Sequence, residues 1–592
     1  MEDTNSLIEQ RRTKLAALAA KGINPFMNKV SLKELTGCGE ARAKFERGEL
    51  VESASVAIAG RITAYRDMGK SQFIDLKDVT GRVQVYAQKQ ALGDEAFALF
   101  SHLDLADFIG VKGTMFRTRT GEISIKAESF TVLSKALRPP PDKWDGLADT
   151  EVRYRQRYLD LIANDEVKRT FLLRSQIIRE IRTFFHERGY VEVETPIMQA
   201  IPGGAAAQPF KTHHNALGCD FYMRIALELY LKRLLVGGLD KVFEIGRNFR
   251  NEGLSRKHNP EFTMLEAYEA YGDYETMMET VESVVKRIAQ NVLGSLVVRH
   301  QRRAETEHAL KEVRFAFAEV TPFFIKSGEP SSAELLPKDR IEAQILATQE
   351  AVDLALANLS KEEPSAIALR VHGAIEATLS LLPVDSEKAE LPRRRLQSAL
   401  STLQPLTVEK VIDLTHWRRA RYKDLVCEKA GADWFELTPS ERRRRATEDL
   451  KLSGDIANGY EDFEVTGAVF EKLVEPTLIQ PTFVTHLPKE LVPLAKLSPD
   501  DPTTVEVFEC CINGQEIAPG YSEQNDPVAQ RAALEQQAGG EQQKLDEDFL
   551  TALEHGMPPA GGIGIGIDRL CMMLLGQETI RDVILFPQLK PR

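Results

Sequence analysis

Three glutamates recur at a spacing of seven in the stretch ECCINGQEIAPGYSEQND: Glu509, Glu516 and Glu523. The dipeptide Asn513-Gly514 predicts a two-residue hairpin turn, which would pair Cys511 with Glu516. Glu509 has the parity of Cys511, so Glu509 and Glu516 would lie on one face of the hairpin as diagonal neighbours. Two carboxylates in that arrangement suit Mg²⁺, which binds a few carboxylates together with waters and substrate phosphates.

Glu523 does not fit this face on a regular strand. Side chains alternate between the two faces, so a spacing of seven puts Glu523 opposite Glu516. The pair Pro519-Gly520 interrupts the strand, and a proline inside a strand indicates an edge or a bulge. One extra residue at 519–520 would shift the parity and turn Tyr521 and Glu523 toward the same pocket. We therefore predict a bulge at Pro519-Gly520.

A second group of chemically useful residues lies in the segment 241–275, whose pattern is strand, polar loop, strand. A spacing of two predicts that the second strand carries an aromatic ring, a carboxylate and a phenol on one face. That face and the preceding loop consist of Phe262, Met264, Glu266 and Tyr268, and of Arg250, Glu252, Arg256, Lys257 and His258. The combination predicts a site for a nucleotide and an amine, although a surface hairpin with solvated charges has the same pattern.

Near the C-terminus, the run GGIGIGIDRL alternates glycine and isoleucine as a strand and then opens a helix at Asp568-Arg569. Glycines let a ligand approach the backbone, and a helix start beside an arginine favours anionic groups. The run does not match the dinucleotide fingerprint G-x-G-x-x-G, and the chain contains no phosphate-loop motif G-x-x-x-x-G-K-[ST]. The predicted anion site is therefore neither of these two kinds.

The bulk composition limits the function further. The chain has 592 residues and a net charge of −12, which argues against a general nucleic-acid coat. None of its six cysteines forms a C-x-x-C pair, so free thiols in a reducing compartment fit best. The polar N-terminus and the absence of any apolar run of about 18 residues predict a cytoplasmic protein without a membrane partner.

The elements that must position these residues fall into several segments. The pattern of residues 1–53 predicts an N-terminal helical extension. Residues 54–136 predict five short strands of an oligonucleotide-binding (OB) barrel, or of an unrelated small barrel or sandwich. The proline-rich stretch 137–150 predicts a linker, followed by a larger domain over 151–592. Within that domain, residues 303–407 have helical periodicity and predict a helical insertion.

Three segments resemble the signature motifs of class II aminoacyl-tRNA synthetases: GYVEVETPIM (189–198), FRNEG...HNPEFTMLE (249–266) and GIGIGIDRL (562–570). Surrounding stretches such as IPGGAAAQPF and TIRDVILFPQLKP resemble lysyl-tRNA synthetases in particular. The resemblance covers nearly everything outside the insertion. It implies an α+β multidomain fold, with an OB anticodon-binding barrel, an antiparallel-sheet catalytic domain and an inserted helical subdomain.

The implied activity is that of a lysine–tRNA ligase, which activates lysine with ATP and transfers it to tRNA(Lys). The resemblance also implies Mg²⁺, with more than one ion in each active site, and a homodimer. One alternative is a paralogue that lysylates a protein of the elongation factor P type, but such paralogues resemble the catalytic domain alone. Another is a non-catalytic tRNA-binding homologue, against which the intact Arg250, Glu252, Glu509, Glu516 and Arg569 argue.

The resemblance assigns roles residue by residue. The catalytic residues would be Arg250, Glu252 and Arg569. Arg250 would contact the α-phosphate of ATP and the carboxylate of lysine, Arg569 would stack on the adenine opposite Phe262, and Glu252 would help to place the base and the triphosphate. The implied ATP site consists of Arg250, Glu252, His258, Asn259, Phe262, Glu509 and Arg569. The implied lysine site consists of Gly204, Glu228, Arg250, Glu266, Tyr268, Tyr521 and Glu523. The metal ligands would be Glu509 and Glu516, the anticodon contacts Arg66, Phe73, Gln84 and Glu122, and a dimer contact Pro196.

Three residues depart from the family pattern. Pro519 stands where the family usually has an asparagine, Leu227 where proline is usual, and Gln208 where arginine is usual. Proline offers no side-chain hydrogen bond, so a contact to the carboxylate end of the substrate would be absent or supplied by another group. The segments 295–300 and 408–426 resemble the strands of a family hairpin, from whose tip the inserted helices would extend.

Overall fold

The computed structural model describes residues 2–30, 32, 34–100, 102–140, 147, 149–205, 207–324, 337–359, 361–383, 387–452, 456, 459–538 and 545–591. The chain divides into two compact units, Met1–Asp165 and Glu166–Arg592. In the described part of the chain, no helix combines the length and the apolar character needed to span a bilayer.

The N-terminal unit contains a closed five-stranded barrel, which confirms the predicted OB fold. Buried and less buried side chains alternate along its first strand, because one face of each strand fills the interior. The strands pair in the order β1-β2-β3-β5-β4, and β4 pairs with β1 to close the barrel. Their bounds are β1 (Ser55–Asp67), β2 (Ser71–Lys77), β3 (Arg82–Gln88), β4 (Phe108–Arg117) and β5 (Ile123–Ser134).

Short helices accompany the barrel in the same unit. They are Glu2–Ala20, Cys38–Glu46, Lys89–Leu92, Asp94–Phe100, Thr150–Arg155 and Arg157–Ala163. Of the predicted linker 137–150, residues 141–146 and 148 lie outside the described residues.

The C-terminal unit is built on an eight-stranded sheet, in agreement with the predicted class II catalytic fold. Its strand order is β14-β15-β16-β17-β18-β11-β10-β6, and only the pairs β14–β15 and β10–β6 are parallel. The strands of this unit are β6 (Val191–Glu192), β7 (Met198–Gln199), β8 (Lys211–His214), β9 (Cys219–Met223), β10 (Lys241–Phe249), β11 (Glu261–Ala270), β12 (Val297–His300), β13 (Lys410–Asp413), β14 (Arg418–Arg421), β15 (Thr482–Thr485), β16 (Val507–Ile512), β17 (Gln515–Ser522) and β18 (Ala560–Gly566).

Helices pack against one face of this sheet, and the opposite face of β11 carries the predicted site residues. Along β11, Leu265 and Ala267 join a large apolar core with residues of three helices, Asp165–Glu187, Tyr274–Ile288 and Ile567–Leu575. Phe262, Met264, Glu266 and Tyr268 lie on the opposite face, as their spacing predicts. The remaining helices outside the insertion are Glu228–Val236, Tyr422–Ala430, Pro439–Arg444, Asp462–Val469, Pro527–Ala538 and Glu547–Glu554.

The insertion is helical, as predicted. In its described residues, four helices with their own apolar core follow the ladder of β12 with β13, in which Val297 lies opposite Asp413 and His300 opposite Lys410. The helices are Arg303–Phe324, Pro337–Asn358, Pro364–Leu381 and Glu387–Leu403. The antiparallel pairing of β12 with β13 brings the two ends of the insertion together. Strands of the eight-stranded sheet precede and follow the insertion in the chain.

The hairpin of β16 and β17 has the predicted turn but not the predicted bulge position. Asn513 (φ 64°) and Gly514 (φ 72°) are both left-handed, and Cys511 pairs with Glu516. The next pair is Cys510 with Ala518, so Ile517 is the extra residue. The prediction of a bulge at Pro519-Gly520 is therefore wrong.

The physical reason for the bulge position is burial of two consecutive apolar residues. Ile517 is 1% exposed and Ala518 is fully buried, and both belong to the same apolar core, so two consecutive side chains lie on one face, which a regular strand with its alternating faces does not allow. Pro519 remains in register opposite Glu509. The parity shift itself occurs, because Glu516 lies on the face that carries Pro519 and Tyr521.

Candidate active site

A cavity of about 200 Å³ opens between the loop after β10, strands β11 and β17, and the start of the helix Ile567–Leu575. Six of the seven predicted ATP-binding residues line it: Arg250, Glu252, His258, Asn259, Phe262 and Arg569. The seventh, Glu509, does not line this cavity but lies on the adjoining strand β16. Glu516 completes the wall from β17. We call this space the nucleotide cavity.

Arg250 lies where the nucleotide cavity meets a second cavity, and it lines both. Its guanidinium carbon lies 5.2 Å from the centroid of the Phe262 ring, within cation–π range. Burial lowers the pKa of Arg250, while Glu252 opposes that shift. The guanidinium is thus a partly desolvated positive charge, which interacts more strongly with an anion than a hydrated one does.

Arg569 and His258 form a second cationic contact in the nucleotide cavity. Arg569 Nη2 donates to His258 Nε2 at 3.0 Å, so the imidazole proton resides on Nδ1, which donates to Ser255 Oγ at 2.8 Å. Burial and the charge of Arg569 lower the pKa of His258. Arg569 Nη1 donates to the backbone oxygen and to Oε2 of Glu516 at 3.1 and 3.3 Å. With the histidine neutral, Arg569 alone carries the positive charge of this pair.

The buried Asp568 fixes the helix start that carries Arg569, and sequence reasoning missed its contacts. Its carboxylate accepts the backbone N–H of Thr263 at 2.7 Å and pairs with Arg174 Nη2 at 2.7 Å. These bonds fix the first turn of the helix Ile567–Leu575 against β11. An acidic residue in the first helical turn was the available sequence signal, since such residues favour the helix N-terminus.

Glu509 and Glu516 lie as the diagonal pair that the hairpin predicts. Burial, together with the carboxylates of Glu516 and Glu475, raises the pKa of Glu509 well above its usual range. Glu475 was not predicted. Among the described residues, no three histidine, cysteine, aspartate or glutamate side chains converge to hold a metal on their own. Glu509 and Glu516 are not fully neutralised by positive side chains. This suits Mg²⁺, which takes its other ligands from phosphates and water.

The second cavity, of about 190 Å³, is called the lysine cavity here because all seven predicted lysine-binding residues line it. They are Gly204, Glu228, Arg250, Glu266, Tyr268, Tyr521 and Glu523. Pro519 lines both cavities at their junction, where it provides no polar side-chain atom. Gln208, another departure from the family pattern, is exposed and lines neither cavity.

Glu266 is held by two hydrogen bonds inside the lysine cavity. The backbone N–H of Leu227 donates to Oε1 at 3.1 Å, and the hydroxyl of Tyr268 donates to Oε2 at 3.0 Å. Burial and the nearby Glu228 raise the pKa of Glu266 to about 7. A proline at position 227 would have no N–H to donate, so the departure to leucine adds a bond to this carboxylate.

The deep end of the lysine cavity contains a charge that sequence reasoning missed. Lys232 is completely buried, and its Nζ lies 2.6 Å from Glu228 Oε1 and forms an ion pair with Glu523 Oε2. The hydroxyl of Tyr521 also donates to Glu228 Oε1, at 2.6 Å. Position 232 follows Glu228 by four, one helical turn, which was the available signal.

Gly562 forms the wall of this deep end. A Cβ atom at position 562 would lie 1.9 Å from Glu523 Oε1 and 2.6 Å from the Tyr268 ring. Any other residue at this position would displace one of the two side chains. The glycine of the β18 run is therefore required for the close approach that its sequence predicts.

The four predicted anticodon-binding residues gather on one side of the barrel. Arg66 lies opposite Phe73, and Gln84 lies opposite Ser124. The Phe73 ring stacks on Tyr86 with centroids 4.7 Å apart, a contact that was not predicted. Side-chain bonds hold the polar members: Arg66 Nη2 to Asp75 at 3.4 Å, Ser124 Oγ to Gln84 at 2.8 Å, and Arg42 Nη1 to Glu122 at 2.8 Å.

Pro196, the predicted dimer contact, is exposed on the chain between β6 and β7. Its neighbours Ile197 and Met198 are 44% and 54% exposed, and Val191 on β6 is 50% exposed. Four apolar residues within eight positions thus face outward in the isolated chain.

Each of the two units matches a known protein family. Residues 149–590 match the family described as tRNA synthetases class II (D, K and N), and residues 56–133 match the OB-fold nucleic acid binding domain. A lysine–tRNA ligase of Pelotomaculum thermopropionicum is 41% identical over 597 residues, covering 100% of this chain and 96% of the relative. Lysine–tRNA ligases of Halalkalibacterium halodurans and Staphylococcus aureus are 40% and 39% identical, over 99% and 100% of this chain.

The two family matches cover nearly all of the barrel, the eight-stranded sheet and both cavities. The chain belongs to the class II aminoacyl-tRNA synthetases and, within them, to the lysine–tRNA ligase family.

Proposed function

We propose that this chain activates lysine with ATP and transfers the lysyl group to tRNA(Lys). The observation that carries the proposal is the position of Arg250 at the junction of the two cavities. One cavity holds the residues that suit a nucleotide, and the other holds buried carboxylates that suit an amine. A guanidinium shared by both can bind the carboxylate of one substrate and the phosphate of the other at once.

The charge balance of the lysine cavity supports lysine as the amino acid. Glu228, Glu266 and Glu523 are at most 5% exposed, and the cations in contact with them or lining the cavity are Lys232 and Arg250. With all three carboxylates ionised, the cavity therefore has one negative charge in excess among the described residues. Lysine brings two ammonium groups and one carboxylate at neutral pH, so its binding neutralises that excess. A neutral amino acid would leave a buried charge uncompensated.

In the first step, a carboxylate oxygen of lysine attacks the α-phosphorus of ATP, the bond to the bridging oxygen breaks, and pyrophosphate leaves. Arg250 stabilises the charge that develops on the phosphoryl oxygens, and Phe262 and Arg569, which both line the nucleotide cavity, orient the adenosine. In the second step, a hydroxyl of the terminal tRNA ribose attacks the lysyl carbonyl and AMP leaves. Glu509 and Glu516 would hold Mg²⁺, which supplies charge neutralisation for the phosphates when bound.

The barrel is proposed to bind the anticodon of tRNA(Lys). Phe73 offers a ring on which a base can stack, and Arg66, Gln84 and Glu122 offer polar atoms for base edges. The net charge of −12 supports specific contacts over general electrostatic attraction as the source of this binding.

We further propose a homodimer that acts in the cytoplasm. The exposed apolar residues around Pro196 support an interface at this position, since such clusters mark interaction surfaces. All six cysteines are free thiols, which supports a reducing compartment. Sedimentation of the full chain before and after Ile197→Glu tests the interface, and a monomeric wild-type chain would contradict it.

The activity is tested by ATP–pyrophosphate exchange across a panel of amino acids, followed by charging of total tRNA. We expect exchange with lysine and lysine-dependent charging of a tRNA fraction. Exchange with lysine but no charging would instead indicate a protein acceptor, and no exchange with any amino acid would indicate a non-catalytic homologue.

A further inference from the structure

Among the residues that the structure describes, Lys232 is a fully buried charged side chain beside the lysine cavity, and the proposed reaction does not use it. Burying an ammonium is costly unless it is paired and hydrogen-bonded. Here Glu228 and Glu523 outweigh the opposing effect of burial and raise the pKa of Lys232. Lys232 is therefore a permanent positive charge within the protein, one helical turn from a residue proposed to bind substrate.

The contacts of Lys232 divide the oxygens of the two carboxylates into inner and outer ones. Its Nζ contacts Oε1 of Glu228 and Oε2 of Glu523, and the Tyr521 hydroxyl also uses Oε1 of Glu228. Oε1 of Glu523 is buried, and among the described residues no partner donates to it. It lies against Gly562 at the wall of the lysine cavity. A buried acceptor without a donor is costly, so a ligand cation is expected at this oxygen.

We propose that Lys232 is a resident positioning residue whose ammonium fixes the inner oxygens of Glu228 and Glu523, so that their outer oxygens receive the side-chain ammonium of substrate lysine. The inference rests on the proposed function, because it names how the same cavity is arranged for its substrate. Positive and negative groups then alternate, because each carboxylate lies between the ammonium of Lys232 and the ammonium of the substrate.

Removal of Lys232 predicts a specific defect. Two buried carboxylates next to each other do not both ionise, so one of them takes up a proton that lysine must displace on binding. Lysine binding would then weaken most at low pH and recover as the pH rises. The titratable groups that face Lys232 or line this cavity are Glu228, Glu266, Tyr268, Tyr521, Glu523 and Arg250.

The test compares Lys232→Met with Lys286→Met in the full chain. Lys286 pairs with Glu282 at the same four-residue spacing, at 2.5 Å, but both side chains are about a third exposed. For Lys232→Met we expect the KM for lysine in ATP–pyrophosphate exchange to rise at least about tenfold, with the KM for ATP within about twofold. The rise should be larger at about pH 6.5 than at about pH 8.5. Lys286→Met should leave both KM values unchanged.

A purely structural role would change both KM values together and equally at all pH values, and that result overturns the proposal. So does a Lys232→Met protein that melts cooperatively and has an unchanged KM for lysine. If Lys232→Met does not fold, Lys232→Arg carries the test: it keeps the charge, but its planar fork displaces the carboxylates, so we expect the same selective rise. An unchanged KM for lysine in Lys232→Arg also overturns it. A wild-type chain without lysine-dependent exchange refutes the proposed function itself.

Discussion

Two glutamate clusters lie beside neighbouring strands of the same sheet, but their surroundings differ. Each has three members: Glu475, Glu509 and Glu516 beside the nucleotide cavity, and Glu228, Glu266 and Glu523 in the lysine cavity. The lysine cluster encloses the ammonium of Lys232, which is completely buried. Beside the nucleotide cavity, Glu516 is a third exposed and its cation is Arg569, whose Nη1 lies 3.3 Å away.

The difference shows how one side-chain type can be adapted to two kinds of cation. A buried cluster arranged around an internal ammonium offers fixed oxygens to a second ammonium that arrives without its water. The cluster beside the nucleotide cavity is only partly neutralised and reaches solvent through Glu516, which suits Mg²⁺ because this ion gives up its water reluctantly. The burial and the internal cation, rather than the glutamates themselves, decide which ligand each cluster can hold.

Arg250→Ala should have the largest effect, because Arg250 belongs to both cavities. Loss of a preorganised charge at the reacting phosphate costs about 10²- to 10³-fold in kcat, so we expect a fall of about 10³-fold in kcat/KM for both lysine and ATP. Pyrophosphate exchange with each substrate varied in turn measures it. Arg247→Ala, three residues earlier on β10 and 42% exposed, is the control and should retain activity. A defect confined to one substrate would place Arg250 in one cavity only.

Glu523→Gln should produce the next largest effect, and only on the lysine side. Hydrogen bonds to charged groups contribute about 1.5–3 kcal/mol, and the change also leaves Lys232 short of a partner. We expect the KM for lysine to rise about 30-fold, with the KM for ATP unchanged. The measurement is pyrophosphate exchange at saturating ATP. An equal rise in the KM for ATP would mean that the two clusters are not separate.

The pH dependence of lysine binding should be smaller and should follow Glu266. With its pKa raised to about 7, Glu266 is largely protonated at pH 6 in the lysine-free protein and ionised at pH 8. Only the ionised form attracts the α-ammonium group, so the KM for lysine should fall about tenfold from pH 6 to pH 8. Calorimetry near pH 7 in buffers of different ionisation enthalpy should register proton release on binding. Glu266→Gln removes this titration, and an unaltered profile in that variant would contradict the assignment.

Much of the catalytic unit follows from local patterns in the sequence. A spacing of two on β11 predicts the common face of Phe262, Glu266 and Tyr268, and Asn513-Gly514 predicts the hairpin register. Such features depend on neighbours in the chain, so the sequence states them directly. The resemblance to a family then identified the residues that distant elements bring together.

The errors and omissions concern features that depend on packing. The bulge falls at Ile517 rather than at Pro519-Gly520 because burial of two consecutive apolar residues decides its position, while the missing N–H of the proline is tolerated in the ladder. Lys232 was missed because a lysine on a helix is usually solvated. Its burial requires the helix Glu228–Val236 and the end of β17 to meet, which the sequence alone does not state.

Glu516→Gln should have the smallest effect of the four changes, and it tests the comparison from the nucleotide side. Its side chain is a third exposed, so water screens the lost charge, and Glu509 remains as a ligand. We expect about a fivefold rise in the Mg²⁺ concentration needed for half-maximal exchange, which corresponds to about 1 kcal/mol, and no change in the KM for lysine. Titration of Mg²⁺ at fixed ATP measures the rise.

Glu523→Gln is the matched control, the same substitution on the same face of the hairpin. Glu516→Gln should change the Mg²⁺ requirement, and Glu523→Gln should change the KM for lysine. If both variants have the same kinetic defect, a single connected set of carboxylates serves both substrates.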